Sequence, residues 1–143
     1  MRAARFTAWL VVPLLVSCAS PPENWVEAGK GKKSVLYVLS ESTTYYVDPT
    51  TIAKEGNLRK VWEIHDLGEK GAQHERSVLA EVEYDCRLFR MRTVAATGHS
   101  LPMGRGEIIP LRNVSDDWIL LRRNRPDDAV FVKILDLACA QGR

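Results

Sequence analysis

Histidine, cysteine and acidic side chains are the first candidates for metal binding in this 143-residue chain. The three histidines, His65, His74 and His99, include no pair at the spacing of metal ligands, and no cysteine lies close to any of them in the sequence. Zinc sites take several such ligands at short, regular spacings. We therefore expect these histidines to occupy surface or loop positions, and we expect no metal site.

Two patterns that resemble catalytic or phosphate-binding motifs are incomplete. A serine–histidine–aspartate triad can be written from Ser100, His99 and Asp116, but no nucleophile-elbow pattern surrounds the serine. The glycine-rich segment 102–106 lacks the lysine and the serine or threonine of a P-loop. The sequence therefore predicts no catalytic residue and no cofactor, and the glycines are expected to permit a tight loop.

The thiol of Cys18 stands where covalent modification is expected. Leu15-Val16-Ser17-Cys18 has the order of a bacterial lipobox, in which diacylglycerol is attached to the cysteine before cleavage makes it the new N-terminus. Acyl chains at about 0.8 kcal/mol per buried CH2 would make the attachment effectively permanent. Because the next residue, Ala19, is not the aspartate associated with inner-membrane retention, the outer membrane is expected. Ordinary signal cleavage after Ala19 is the alternative, and it would leave a periplasmic protein.

Residues 1–17 are predicted to be the signal peptide that exports the chain. Arg2 and Arg5 come first, an apolar stretch runs from Phe6 to Val16, and small residues follow. That stretch is shorter than the roughly 20 residues of a membrane-spanning helix, and Pro13 interrupts it. We therefore expect export without a permanent transmembrane helix in this segment.

Two further cysteines, Cys86 and Cys139, remain in a compartment that permits oxidation. We predict a disulfide between them. With about fifty residues enclosed, the chain-entropy treatment assigns such a bridge roughly 4 kcal/mol of stability. A reactive thiol pair is the alternative, but the cysteines are far apart in sequence and form no C-x-x-C motif.

The composition after the signal peptide is that of one small, nearly neutral domain. Roughly 125 residues remain, the usual size for a single hydrophobic core. They carry 18 of the 20 basic residues against 18 acidic residues, so nothing argues for nucleic-acid binding. The basic clusters at 30–33 and 122–125 are typical of solvated surface.

Apolar alternation predicts an antiparallel sheet in a domain spanning residues 34–143. Residues 18–33 contain prolines, glycines and charges without a sustained period, and they are expected to form a flexible spacer. Pro49 is expected to end the second strand, because proline cannot continue a central ladder, and residues 52–56 are expected to turn. Strand-like runs occupy 35–39, 43–48 and 58–67.

The clearest alternation runs from Ser77 to Cys86 and predicts a hairpin with the segment after it. A turn at Arg87 and Leu88 gives one register that joins apolar partners on one face and opposite charges on the other. The pairs are Cys86–Phe89, Tyr84–Met91, Val82–Thr93, Ala80–Ala95, Glu83–Arg92 and Asp85–Arg90. The carboxylates are therefore interpreted as structural, and Cys86 should face the core. A longer or bulged connection is the alternative, because Arg-Leu suits a type I′ turn poorly.

The last part of the chain predicts a loop and then a helix. Residues 98–117 are expected to be mostly loop, with Ile108 and Ile109 in a short strand, before the apolar run 118–121. Asp127 and Asp128 supply an N-cap and favourable charge for a helix after Pro126. A strand through Val130, Val132 and Ile134 is the alternative. The helix is preferred because the apolar residues recur at helical spacing: Phe131, Ile134, Leu135, Ala138 and Cys139.

Several short motifs stand in a fixed order between Ser34 and Cys139. They are Tyr46-Val47-Asp48-Pro49-Thr50-Thr51-Ile52, Val61-Trp62, Glu83-Tyr84-Asp85-Cys86, the segment 98–106, Trp118 and Cys139. Together they resemble the surface-adhesin protein E family of bacterial lipoproteins. The resemblance implies an α+β fold: an antiparallel sheet of about six strands, with a C-terminal helix held on its concave face by a disulfide. Cys86 and Cys139 match the cysteines of that bridge.

The resemblance also implies a function, because named members of the family bind host matrix and serum proteins at the bacterial surface. We therefore expect an adhesin-like protein-binding module, anchored to the membrane through Cys18, with matrix proteins or other envelope proteins as partners. The alternative is a periplasm-facing structural or assembly lipoprotein with an envelope partner. An enzyme is not expected. No ligand-binding residue is carried over, because the adhesive segments of the family have no motif that matches this chain.

Overall fold

The sheet is an antiparallel meander whose first six strands pair in chain order. The computed structural model describes residues 24–33 and 38–141. Strand β7 pairs with the start of β5, outside the meander path. A short 3-10 helix, Pro126–Asp128, leads into helix α1, Ala129–Ala140. The strands are β1 (Val26–Lys33), β2 (Val38–Glu55), β3 (Leu58–Asp66), β4 (Ser77–Asp85), β5 (Arg90–Leu101), β6 (Arg105–Ile109) and β7 (Ile119–Leu120).

Helix α1 covers one face of this sheet, which we name the inner face, and the hydrophobic core lies between them. Alternate residues of each strand point to this face, and the apolar ones pack with the buried side of the helix. The core therefore follows from two periods, 2 along the strands and about 3.6 along the helix. Its fully or nearly buried members include Tyr45, Val61, Val78, Ala80, Val82, Tyr84, Phe131, Ile134, Leu135 and Ala138. The predicted α+β class, antiparallel sheet and C-terminal helix are confirmed.

The predicted disulfide is present and ties α1 to the sheet. Cys86 directly follows β4, and Cys139 lies in the last turn of α1; their Cα atoms are 5.8 Å apart. The predicted helix cap differs in detail. Asp128 precedes α1 but makes no side-chain hydrogen bond to the first turn. Its Oδ2 instead accepts a hydrogen bond from the backbone N–H of Arg122 at 3.0 Å, which ties the helix start to the preceding segment.

The prediction of a flexible spacer over residues 18–33 is wrong for its second half. Val26–Lys33 form the edge strand β1, which pairs antiparallel with β2. The glycines that suggested flexibility lie against α1: a Cβ added at Gly29 or Gly31 would stand 3.5–3.6 Å from Val130 or a neighbouring aromatic ring. These are ordinary van der Waals distances, so both glycines lie in the packed interface between this strand and the helix. Residues 18–23 lie outside the described part of the chain.

Strand β2 does not end at Pro49, and residues 52–56 are not a separate turn. The strand runs to Glu55, with a bulge between Asp48 and Ala53 where four residues leave the ladder. Pro49 lies in that bulge, where its missing N–H removes no ladder hydrogen bond. The chain reverses instead at Gly56 and Asn57, and Gly56 has the left-handed backbone (φ 57°) that favours glycine.

The β4–β5 register is confirmed close to the turn and wrong farther away. Four of the six predicted pairs are present. A bulge places Ala80 opposite Ala96 instead of Ala95, and Cys86 and Phe89 lie in the turn and not in the ladder. The connection is the longer alternative, a four-residue turn at 86–89. The segment 98–117 is less of a loop than expected, because β5 continues to Leu101 and β6 carries both Ile108 and Ile109.

Candidate functional site

The histidines differ from the predicted surface positions. His65 and His99 are buried, and only His74 is exposed, with a positive φ of 68° in the β3–β4 loop. Pattern reasoning missed the two buried ones because each is a polar residue on a strand face that packing covers. In the described part of the chain, His, Cys, Asp and Glu side chains nowhere gather in a group of three or more that could hold a metal ion.

A buried polar cluster lies on the inner face beneath α1. Glu63 is its centre: one carboxylate oxygen accepts a hydrogen bond from the hydroxyl of Tyr84, and the other lies 2.8 Å from Nε2 of His65. The ring of Tyr45 meets His65 edge-on at 4.7 Å and Phe131 at 5.2 Å. Burial, with the Glu63 charge adding to it, raises the pKa of Tyr45 and Tyr84. The core covers this cluster, so we interpret it as structural and not as a site open to substrate.

The serine–histidine–aspartate triad that could be written from the sequence does not assemble in the structure. His99 and Ser100 are neighbours on β5 and point to opposite faces. Nε2 of His99 is 3.2 Å from the hydroxyl of Thr97, while the hydroxyl of Ser100 accepts a hydrogen bond from the N–H of Glu107. Asp116 lies exposed in the segment between β6 and β7. These residues form local structural contacts and not a nucleophile with its base.

The glycine-rich segment 102–106 forms the turn between β5 and β6 and the first two residues of β6. Gly104 and Gly106 both have a positive φ, of 65° and 80°. A Cβ at Gly106 would come within 2.3 Å of the Ser100 hydroxyl, so only glycine fits there. The expected tight loop is therefore present.

A cavity of about 330 Å³ opens on the face of the sheet opposite α1, which we name the outer face. Its walls come from five places in the chain: the residue before β1, the bulge of β2, strands β3 and β4, and the β5–β6 turn. We name it the tryptophan pocket. Its lining residues are Trp25, Thr51, Trp62, Ile64, Leu79, Met103 and Gly104.

The bulge of β2 fixes one wall of this pocket. Oδ1 of Asp48 accepts hydrogen bonds from the N–H and the hydroxyl of Thr50 at 2.9 and 2.6 Å. The hydroxyl of Thr51 donates to the carbonyl of Asp48 at 2.7 Å and accepts from the N–H of Trp62 at 3.0 Å. Such side-chain bonds to the nearby backbone are what aspartate and threonine make in turns, and that signal was present in the sequence.

A second cluster lies on the outer face near the β4–β5 turn. The guanidinium groups of Arg90 and Arg92 stack on the ring of Trp118 at 4.2 and 4.6 Å from its centre. Nε of Arg90 is 3.1 Å from Asp85, and Nε of Arg92 is 2.8 Å from Glu83. The predicted charge pairs are thus present. Both carboxylate side chains are at least 92% buried, however, so these are not freely exposed pairs.

The pKa of Asp85 reflects these contacts. Burial alone would raise the pKa, but the backbone N–H groups of Leu88 and Arg87 and the side chain of Arg90 together lower it. The carboxylate therefore holds the turn together as a charged group.

Comparison with known proteins agrees with this architecture. A family model described as surface-adhesin protein E matches residues 25–140. Crystal form II of Haemophilus influenzae protein E has a TM-score of 0.55 at 17% identity, covering 85% of this chain and 94% of that one. The selenomethionine form gives 0.56 at 14% identity, with the same coverage of both chains. Protein E from non-typeable Haemophilus influenzae gives 0.53 at 15% identity, covering 85% of this chain and 79% of that one.

No curated protein matches the sequence at a significant level. Within residues 24–33 and 38–141, no helix reaches the length and apolar character that crossing a membrane would require. The structural matches, at less than 20% identity, show a shared fold. The family match extends over most of the chain and confirms the resemblance seen in its motifs, so this chain belongs to the surface-adhesin protein E family.

Proposed function

We propose that this chain is a lipoprotein of the bacterial cell envelope that binds protein partners through the outer face of its sheet. The observation that carries the proposal is the difference between the two faces. Helix α1 and the disulfide close the inner face, whereas the outer face keeps an open apolar pocket. The family is one of surface adhesins, which supports recognition over catalysis.

The aromatic residues of the outer face support protein recognition. Trp25, Tyr46, Trp62 and Trp118 are each partly exposed, and they sit among charged side chains. Tryptophan, tyrosine and arginine are the residues that most often dominate the binding energy of protein interfaces. A surface with this composition suits contact with another folded protein or an extended peptide.

The proposed anchor is a lipid on Cys18, after removal of residues 1–17 as a signal peptide. Cys18 lies outside the described residues. Trp25, where the family match begins, is seven positions after Cys18, and a fully extended chain of that length spans at most about 25 Å. Lipidation would therefore hold the domain close to the membrane surface, which we propose is the outer membrane.

Protease accessibility on intact cells tests the orientation. We expect an externally added protease to remove the domain from intact cells, while a periplasmic control protein survives until the outer membrane is permeabilised. Digestion only after permeabilisation would contradict surface display and favour the alternative, a periplasm-facing structural or assembly lipoprotein.

A further inference from the structure

The tryptophan pocket has the size and walls of a site for one long side chain. Its volume, about 330 Å³, lies at the lower end of ligand pockets. Two indole rings, Trp25 and Trp62, contribute to its lining, and the rest is almost entirely aliphatic or thioether. Indole rings attract cations through their faces and also pack against methylene groups.

Two carboxylates flank Trp62 across the sheet. Asp48 is its cross-strand neighbour on β2, and Glu81 is its neighbour on β4, so both project to the outer face. Asp48 is fully buried, and its Oδ2 has no hydrogen-bond partner among the described residues. No ion pair in the described part of the chain joins either carboxylate to a cation within 4 Å.

Further acidic residues lie on the same face, near the next set of cross-strand neighbours. Tyr46 pairs with Glu27 on β1 and with Ile64, a lining residue of the pocket, on β3. Burial raises the pKa of Tyr46, and the charges of Glu27 and Asp66 add to that effect. At Asp66, Arg76 and Arg105 supply compensating positive charge. The charge of Asp66 is thus compensated, while Asp48 and Glu81 share the outer face with one lysine of β3, Lys60, whose cross-strand neighbour is Glu83.

We propose that the tryptophan pocket receives a lysine or arginine side chain of a partner polypeptide, a proposal that rests on the protein-binding function above. The methylene stem would lie along the two indoles, as such stems do on apolar surfaces, and the cationic head would lie near Glu81, with the charge of buried Asp48 adding to the attraction. A neutral side chain would gain the apolar contact alone. An acidic side chain would be repelled at short range in a site of low dielectric constant.

The test uses the ¹⁵N-labelled protein purified from the envelope and follows the indole N–H resonances of its tryptophans. The probes are Nα-acetyl-lysine N-methylamide, its arginine counterpart and the norleucine analogue, which keeps the stem and removes the charge. We expect saturable shifts of the Trp25 and Trp62 signals with the two cationic probes. Norleucine should bind at least roughly fivefold more weakly.

Charge-removing variants locate the effect. Asp48→Asn keeps the side-chain oxygen that accepts hydrogen bonds from Thr50. Glu81→Gln changes a partly exposed residue and should not disturb the fold. If Asp48→Asn loses the native spectrum, the result for Glu81→Gln decides. Each should weaken lysine binding roughly fivefold. The matched control is Asp127→Asn, which removes an exposed carboxylate next to α1 and should leave binding unchanged.

Equal binding of lysine and norleucine, or no shift of either indole signal, would overturn the inference. Neither result would contradict the proposed protein-binding function. That function is contradicted by a different result, namely that no protein contacts the outer face in cells.

Discussion

At the scale of single residues, aspartates hold the irregular parts of the sheet. Asp48 fixes the bulge of β2, Asp85 accepts hydrogen bonds from the backbone N–H groups of Arg87 and Leu88, and Asp128 binds the N–H of Arg122. Each aspartate satisfies backbone groups that the ladder or helix leaves unpaired. The family motif around Asp48 is thus a folding signal as well as a marker of relationship.

Residue chemistry also sets a dependence of stability on pH. His99 is 6% exposed, and burial lowers its pKa. Above the unfolded value of about 6.5 the imidazole is neutral in both states. As the pH falls through that value, the unfolded chain takes up the proton first, so the free energy of unfolding decreases until the lowered folded pKa is reached.

The variant His99→Gln should therefore lose less stability than the wild type between about pH 7.5 and pH 5.5. Denaturant unfolding at several pH values measures this, with His74→Gln as the exposed control. If the wild type and His99→Gln lose the same free energy over that range, burial of the imidazole is not the cause.

What the sequence revealed at this scale depended on whether a residue's partner could be inferred from local spacing. The pairs Glu83–Arg92 and Asp85–Arg90 followed from one hairpin register. The buried contact of His65 with Glu63 did not, because the inner face of β3 carries only one apolar residue, Val61, and so its pattern gives no sign of burial. Only the packing of α1 shows that this face is covered.

At the scale of elements, the β4–β5 hairpin was predictable because strict alternation and charge pairing agree on one register. The sequence did not reveal β1, because glycines and lysines interrupt the apolar alternation of a strand. β1 forms by pairing with β2 at the edge of the sheet. The extension of β2 was missed because proline was interpreted as a strand end. A bulge accommodates proline without a lost ladder bond.

The hairpin's charge pairs give a prediction about stability. Reversing both Arg90 and Arg92 to glutamate should destabilise the protein by about 3 kcal/mol or more, because it places new negative charge against two buried carboxylates and removes the stacking on Trp118. This exceeds the 0.2–1 kcal/mol or so of an exposed pair.

A thermal or denaturant melt measures the change. The control is Arg123→Glu; Arg123 is exposed and pairs with the half-exposed Asp136, so its reversal should cost much less. A double reversal that melts like the wild type would show that solvent screens these carboxylates after all.

The disulfide should contribute a large part of the domain's stability. It joins residues 53 positions apart, and chain entropy assigns such a loop about 4 kcal/mol. We expect the double variant Cys86→Ser, Cys139→Ser to unfold at clearly lower denaturant concentration than the oxidised wild type. A reductant should shift the wild type toward the variant and leave the variant unchanged; no difference between the oxidised wild type and the variant would contradict this account.

At the scale of the whole molecule, helix α1 covers one face of the sheet, and the other face carries the tryptophan pocket and the cluster of Arg90, Arg92 and Trp118. The amphipathic helix and the two cysteines predicted the covered face. The sequence could not predict the tryptophan pocket, whose walls come from five separate parts of the chain and meet only through the register of the sheet. Its chemistry depends on cross-strand neighbours and not on a local motif.

The proposed anchor makes a prediction about the whole chain. Replacing Cys18 by serine should abolish lipid attachment, remove the acyl mass from the protein and move it out of the membrane fraction. Mass spectrometry of the mature N-terminus and membrane fractionation measure both effects, with Ser20→Ala as a neighbouring control. A wild-type protein that begins at Ser20 without lipid would contradict the lipobox and support ordinary cleavage.

Site-specific photo-crosslinking in living cells tests the central claim, that the outer face binds protein partners, most directly. The crosslinker replaces Lys60 or Glu81 on the outer face and, as controls, Lys133 or Ala140 on the exposed side of α1. The cells are exposed to matrix proteins or left with their own envelope proteins. We predict discrete protein adducts from the outer-face positions and few or none from the helix positions. Adducts that form equally from both sides, or none from the outer face with any partner source, would contradict the account.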